Sequence, residues 1–258
     1  VLHTLQVKNV YGDAALINKN VSTPRLTDGY DYWDHVDFII DAAAERGIYI
    51  AMVPVWGGNV KSGNVSVEEA KQYAAFLANR YKYKTNIIWL NGGDIKGDDS
   101  INVWKAIGET IHDLDKQHLQ TFHPRGRTTS SIWFHNEPWM QFNMFQSGHR
   151  TYAQDTSAAD LKFGEDNWRY VQMDYSRSPA KPTLDGEPSY EKIVHGLHAE
   201  SRLSVQNQSN HHGKFIAFRD EFTSPIHGID HADAATAQPC STSRTSRWGL
   251  WMSARAID

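Results

Sequence analysis

The sequence predicts an α/β fold, a (β/α)8 TIM barrel that lacks its first and last β/α units. Strand-like and helix-like patterns alternate along the 258 residues, and the strand-like segments are apolar without in–out alternation. Both features are typical of parallel strands covered by helices. An open doubly wound sheet is the alternative, but no Gly-rich phosphate loop follows any predicted strand. A chain of this length is sufficient for one such domain.

The individual elements follow from hydrophobic spacing and from start and stop signals. Runs of apolar or alternating residues predict the strands. These strands are residues 1–7, 48–55, 86–90, 120–122, 142–145 and 182–185. Apolar residues three and four apart predict helices, and the capping pair Ser66 and Glu69 marks the start of one of them. The helices cover residues 32–45, 66–77 and 103–114.

The regular pattern ends at about Asp220. Residues 1–219 are therefore predicted to form the partial barrel. Residues 220–258 mix small, polar and charged residues without a helix or strand period, which predicts a tail that is poorly ordered or translated from the wrong reading frame. Val1 stands where a natural start would have Met, and this predicts a fragment or a trimmed chain.

The composition limits the classes of partner. A formal net charge of −4 argues against a nucleic-acid partner, which usually requires a basic face. No apolar run reaches the roughly 18 residues that a membrane-spanning helix needs. The 9 Trp and 11 Tyr are compatible with a large core and with stacking against sugar rings. Cys240 is the only cysteine, so no disulfide framework or cysteine-based metal site is predicted, and no cofactor is implied.

Two carboxylates stand out because each follows a predicted strand and a glycine: Asp94 and Glu187. In a (β/α) barrel the active site lies at the carboxyl ends of the strands. Glycoside hydrolysis uses such a pair, one as general acid and the other as nucleophile or base. The alternative for each acid is structural, capping a helix or pairing with a lysine. The other candidates at the strand ends are Asn9, Trp56, His123, Gln146, His149 and Tyr190.

Glu137 and the histidines are weaker candidates. Residues 136–138 read Asn-Glu-Pro, a tripeptide that carries the acid/base in many barrel glycosidases, where it directly follows the fourth strand. Here it lies between the fifth and sixth strands of the complete barrel, so we interpret Glu137 as a loop residue. No histidine or carboxylate spacing predicts a zinc site, and His123 and His149 are expected to bind substrate or to be structural.

Several segments together resemble the apiosidase-like catalytic domain of glycoside hydrolase family 140, from about Val1 to Tyr190. They are YWDHVD (32–37), VWG (55–57), IWLNGGD (88–94), TFHP (121–124), QSGH (146–149) and KPTLDGEPSYE (181–191). The resemblance implies a (β/α)8 barrel that releases apiose from the branched pectin rhamnogalacturonan II. It also implies that Asp94 is the acid/base and Glu187 the nucleophile. A polymeric substrate of this kind implies a secreted or periplasmic location.

The resulting hypothesis is a double displacement between carboxyl groups roughly 5–5.5 Å apart. Trp56 would form a stacking wall, and the other strand-end candidates would hydrogen-bond the hydroxyls of an oligo- or polysaccharide. Two alternatives stay open at this point. One is a barrel that binds glycans without cleaving them, and the other is a barrel glycosidase of different specificity, such as an arabinofuranosidase or an endo-glycanase.

Overall fold

The computed structural model describes residues 1–148, 153, 161–164 and 166–188, together with the backbone of Ile216–Ala217. The predicted tail, residues 220–258, lies outside the described residues, as do two of the candidate site residues, His149 and Tyr190. Among the described residues, no helix is both long enough and apolar enough to cross a bilayer.

The first sheet contains three parallel strands in the order in which they occur along the chain. They are β1 (Ile50–Met52), β2 (Ile87–Ile95) and β3 (Gln120–Pro124). The register places Ile50 opposite Ile87 and Trp89 opposite Gln120. Side chains of β2 and β3 are mostly buried, as expected for a parallel sheet covered on its faces. The predicted parallel α/β arrangement is therefore confirmed for this part of the chain.

Six helices lie among the described residues, and one of them begins at the predicted cap. They are α1 (Tyr32–Ala44), α2 (Gly57–Lys61), α3 (Val67–Tyr81), α4 (Ile101–Leu114), α5 (Ser131–Phe134) and α6 (Trp168–Tyr175). Ser66 and Glu69 form the expected capping box at the start of α3. Asp31 caps α1 in the same way, with Asp34 as its reciprocal partner. These caps satisfy backbone N–H groups that a helix start leaves unpaired.

The second sheet begins beside β3. Its strands are β4 (Asn143–Phe145), β5 (Thr183–Asp185) and β6 (Ile216–Ala217), with β4 and β5 parallel and β6 antiparallel to β5. Three hydrogen bonds connect β3 to the residues just before β4. The Thr121 hydroxyl donates to the Phe142 carbonyl at 2.7 Å, the Gln141 N–H donates to the Gln120 carbonyl at 3.0 Å, and the Gln120 N–H donates to Oε1 of Gln141 at 2.7 Å. The carboxyl ends of the parallel strands therefore lie along one edge.

The apolar core lies mainly under the first sheet. Its largest fully buried side chains include Trp33, Trp89, Trp104 and Trp139, contributed by α1, β2, α4 and the loop after α5. The indole of Trp139 packs so closely on α4 that a Cβ at Gly108 would lie 2.5 Å from its ring. A much smaller cluster, Phe145 with two residues of α6, packs against the second sheet.

Three strand predictions need correction. The alternation in residues 1–7 does not give a strand: only Leu2 forms a parallel bridge, to Val55, and the chain turns where the Val7 N–H donates to the Thr4 carbonyl. The strand predicted over 48–55 is shorter, because β1 covers only Ile50–Met52. The strand predicted to end at residue 90 is longer, since β2 continues to Ile95 and includes Asp94.

Candidate active site

Asp94 lies within the last residues of β2, in an irregular part of the strand. The register with β3 shifts between Gly92 and Ile95, and Gly92, Gly93 and Asp94 have φ angles of 90°, 109° and 49°. Only glycine adopts the first two angles readily, and aspartate is among the few other residues that tolerate the third. The bulge turns the Asp94 side chain out of the sheet, so that it is exposed at the carboxyl edge.

Trp56 packs directly against this bulge. It precedes the first residue of α2, and its half-buried indole covers Gly93 so closely that a Cβ there would lie 2.6 Å from the ring. The indole also lies near His123, with ring centroids 6.2 Å apart. The absence of a side chain at Gly93 therefore allows an aromatic surface to lie against the backbone next to Asp94.

His123 lies on β3 opposite Gly92 and is 6% exposed. Its Nδ1 is 3.0 Å from the Pro124 carbonyl oxygen. A carbonyl can only accept a hydrogen bond, so Nδ1 carries a proton. The other ring nitrogen, Nε2, lies 3.3 Å from Oε2 of Glu187. The strand and the carbonyl thus fix the ring so that Nε2 is directed at the second carboxylate.

Glu187 follows β5 by two residues and completes a cluster with the other two side chains. Its backbone carbonyl accepts from the Gly148 N–H at 3.0 Å, and its side chain is 19% exposed. One donor atom from each of Asp94, His123 and Glu187 lies within 4.8 Å of the others. The structure therefore brings the two predicted carboxylates together and adds a buried histidine between the strands that carry them.

Asp185 is a residue of this region that the sequence reasoning did not identify. It lies at the end of β5, and its carboxylate accepts from the Ser147 hydroxyl at 2.5 Å and from the Ser147 N–H at 3.3 Å. Burial raises the pKa of Asp185 to about 6, against the opposing effect of the hydrogen bonds from Ser147. This contact ties the segment after β4 to the segment that carries Glu187. The only sequence signal was an acid at the end of a predicted strand.

The remaining candidates differ in their surroundings. Gln146 follows β4 directly and is 8% exposed, and its Oε1 is buried without a hydrogen-bond partner among the described residues. Asn9 is engaged inside the N-terminal loop, where its amide donates to Asp13 at 2.9 Å and its oxygen accepts from two backbone N–H groups. Its predicted contact with substrate stays a prediction.

Glu137 lies in the loop after α5. Its carboxylate pairs with Lys105 of α4 at 2.8 Å, and its backbone N–H donates to the Phe134 carbonyl. This is the environment of a structural loop acid, as expected from its position between strands. Asp94 and Glu187, by contrast, lie at the carboxyl edge of the parallel strands.

Comparison with known proteins identifies the family. The family model of the apiosidase-like catalytic domain matches residues 1–218. The chain belongs to this family. This match confirms the resemblance that the sequence motifs indicated. No curated protein shows a significant match to the chain.

Two solved structures are similar to this apiosidase-like domain. One is a glycoside hydrolase family 5 protein from Bacteroides vulgatus, with 44% identity and a TM-score of 0.75, covering 81% of this chain and 46% of that one. The other is a glycoside hydrolase with 48% identity and a TM-score of 0.71, covering 79% of this chain and 47% of that one. The chain therefore spans about half the length of the solved structures that it matches.

Proposed function

We propose that this apiosidase-like domain carries the catalytic centre of a retaining glycoside hydrolase that releases terminal apiose from rhamnogalacturonan II. The observation that carries the proposal is that one carboxylate oxygen of Asp94 and one of Glu187 lie within 4.8 Å of each other. Retaining glycosidases hold their carboxyl groups about 5–5.5 Å apart, whereas inverting enzymes need about 6.5–9.5 Å to admit a water molecule. The close approach of these two oxygens favours the retaining arrangement, in which Glu187 is the nucleophile rather than a general base.

The mechanism is a double displacement. In the first step Glu187 attacks the anomeric carbon, and the bond to the leaving oxygen breaks as Asp94 donates its proton to that oxygen. The product is a covalent glycosyl ester on Glu187. In the second step Asp94, now a carboxylate, takes a proton from water as the water attacks the same carbon and releases Glu187. Both protons of the cycle therefore pass through Asp94.

The other side chains would bind and orient the sugar. Trp56 offers an aromatic face beside Asp94, suited to the apolar face of a sugar ring. Gln146 remains a predicted substrate contact at the end of β4. His123 orients the Glu187 carboxylate. Asn9, His149 and Tyr190 remain predicted substrate contacts.

The (β/α)8 barrel is part of the same proposal. The described parallel strands follow one another in chain order from Leu2 through β5, which is the order of a barrel rather than of a doubly wound sheet, where the order reverses. Asp94 and Glu187 would then end its fourth and seventh strands. A pectic polysaccharide as substrate would place the protein outside the cytoplasm.

The decisive experiment compares Asp94→Asn and Glu187→Gln on an aryl apioside and on rhamnogalacturonan II fragments. Asp94→Asn should still form the covalent intermediate from the aryl substrate, because a good leaving group needs no proton, and mass spectrometry should find the adduct on Glu187. Glu187→Gln should form no adduct and lose turnover by more than about 10³-fold, near the upper range for removing a catalytic group. Circular dichroism checks that both variants fold.

The alternatives give different outcomes in the same assay. A glycan-binding barrel would bind the fragments with equal affinity in the wild type and in both variants, and would release no sugar. A glycosidase of other specificity would cleave aryl arabinofuranosides or internal linkages in preference to the apioside. Turnover by Glu187→Gln at the wild-type rate would contradict the assignment of the nucleophile.

A further inference from the structure

We propose that Asp94, His123 and Glu187 form a zinc-binding site whose occupation blocks the proposed hydrolysis. The three side chains come from β2, β3 and the segment after β5, and one donor atom of each lies within 4.8 Å of the others. Carboxylate oxygen and imidazole nitrogen are both ordinary zinc ligands. Zinc sites with three protein ligands and one open position are common in proteins.

The orientation of His123 is the main argument for a cation. Its Nδ1 proton is engaged by the Pro124 carbonyl, so Nε2 is the ring nitrogen left to bind a cation, and it lies 3.3 Å from Oε2 of Glu187. Either a proton on Nε2, which then donates to Glu187, or a metal ion bound by both atoms supplies the positive charge that favours this arrangement. Zinc-bound histidines in proteins typically donate their second N–H to a carbonyl or carboxylate in this way, which fixes the tautomer.

The distance between the two acceptors also fits zinc. Bonds of about 2.0–2.1 Å in a tetrahedral site place neighbouring ligand atoms about 3.3 Å apart. Nε2 of His123 and Oε2 of Glu187 are 3.3 Å apart. One carboxylate oxygen of Asp94 lies within 4.8 Å of the donor atoms of the other two residues. Two of the three ligands are therefore already placed for the metal.

The ligand set also predicts which cations bind. The buried imidazole favours zinc and its transition-metal neighbours, because calcium and magnesium prefer all-oxygen sites. A zinc ion here would engage both carboxylates that the proposed mechanism needs. Asp94 could not hold its proton, and Glu187 could not attack. Only this inhibitory consequence rests on the proposed function, since the binding itself does not depend on catalysis.

The test measures zinc binding directly by isothermal titration of metal-free protein. The wild type should bind one zinc ion, and His123→Asn should weaken the affinity at least about tenfold, as changes around zinc ligands typically do. Asp94→Asn and Glu187→Gln should have effects of the same size. His112→Asn on α4 is the matched control and should bind zinc as the wild type does. Millimolar calcium should not compete.

Three results would overturn the proposal. Absence of zinc binding would mean that a proton alone occupies the gap between His123 and Glu187. Equal binding by the wild type and the three ligand variants would place the metal elsewhere. Faster sugar release with zinc than with EDTA would contradict inhibition. A protein that binds zinc through these residues but releases no sugar would retain the site and contradict the proposed function instead.

Discussion

The first sheet rests on an extended apolar core, whereas the second sheet is held largely by hydrogen-bonded buried acids. Beneath β1–β3 lie several fully buried tryptophans and the tightly packed helices α3 and α4. Beside β4 and β5 the apolar cluster is confined to Phe145, two residues of α6 and their neighbours. Burial of apolar surface is nearly independent of pH, while buried acids respond to pH through their pKa values.

Asp174 is the centre of the second arrangement. It is fully buried on α6, and its carboxylate accepts from the hydroxyls of Thr129, Ser131 and Thr183 at 2.6–2.8 Å. Burial raises the pKa of Asp174, although the three hydroxyls oppose the shift. Asp174 connects α6, β5 and the loop before α5 through polar contacts. The helices that cover the first sheet are held mainly by apolar contacts.

The buried acids of the two regions also differ in the direction of their pH effects. Burial opposes ionisation of Asp115, near β2, but hydrogen bonds from His118 and Trp89 outweigh it and lower the pKa. Asp115 therefore stabilises the fold above its unfolded pKa, an effect that is lost as pH falls. For Asp185 the pKa is raised, so the sign is opposite. The region that carries Asp94 thus loses the contribution of its buried acid as pH falls, and the region that carries Glu187 loses it as pH rises.

The largest expected effect on stability comes from a substitution in the apolar core under the first sheet. Trp104 is fully buried on α4 and meets Phe122 of β3 edge-on at 5.6 Å. Trp104→Ala should lower the free energy of unfolding by about 3–5 kcal/mol, measured by urea denaturation. Leu114→Ala, on the exposed end of the same helix, should cost less than about 1 kcal/mol. Similar losses for the two variants would contradict the packing described here.

The next largest effect is the pH dependence that Asp185 introduces. Its pKa is about 6 in the fold and 3.8 as the reference value, so the folded state holds its proton more tightly than the unfolded state. Its contribution should therefore fall as pH rises from about 4 to 6, by up to about 3 kcal/mol. Thermal unfolding of the wild type and of Asp185→Asn over this range measures the difference. Parallel curves for the two proteins would rule out the effect.

A smaller loss is expected from the Asp174 cluster. Asp174→Asn keeps the size of the side chain but replaces one acceptor oxygen by a donor, so one of the three hydroxyls must reorient or lose its partner. Unfolding by urea should show a loss of about 1–3 kcal/mol. Asp113→Asn, on an exposed part of α4, is the matched control and should change stability by less than about 0.5 kcal/mol. Equal stability of the two variants would show that the cluster contributes little.

The smallest effect is expected at Glu137. Its ion pair with Lys105 is partly exposed, and such pairs contribute at most about 1 kcal/mol. Glu137→Gln should therefore change unfolding by less than that amount, and it should leave sugar release intact. Kinetic assays that compare sugar release by Glu137→Gln and by Asp94→Asn test this expectation. Loss of turnover in Glu137→Gln would indicate that the acid/base is Glu137 in this loop and not Asp94 at the edge of β2.

The fold was predictable where periodicity and caps agree. The capping box of Ser66 and Glu69, the helix ending at Leu114 and the apolar strand from Ile87 were all visible in the sequence. Short elements were not, since α5 has too few residues to show a period. The alternation in residues 1–7 was misleading, because a local turn at Thr4 takes the backbone out of extended conformation.

The site was predictable only in its carboxylates. Asp94 and Glu187 each follow a glycine at a predicted strand end, so a rule about strand ends was sufficient to select them. Their meeting with His123 was not predictable, because the three residues lie far apart in sequence and only the parallel order of β2, β3 and β5 brings them together. A search for local ligand spacing therefore could not detect the cluster.

The left-handed backbone at position 94 restricts which amino acids the protein can use there. A φ of 49° suits aspartate and asparagine, whose short side chains can bond locally, better than longer or branched residues. Asp94→Asn is therefore a conformationally neutral replacement, while Asp94→Glu would combine the right functional group with an unfavourable backbone. A redesign that needs a longer acid at this point would have to rebuild the turn made by Gly92 and Gly93 as well.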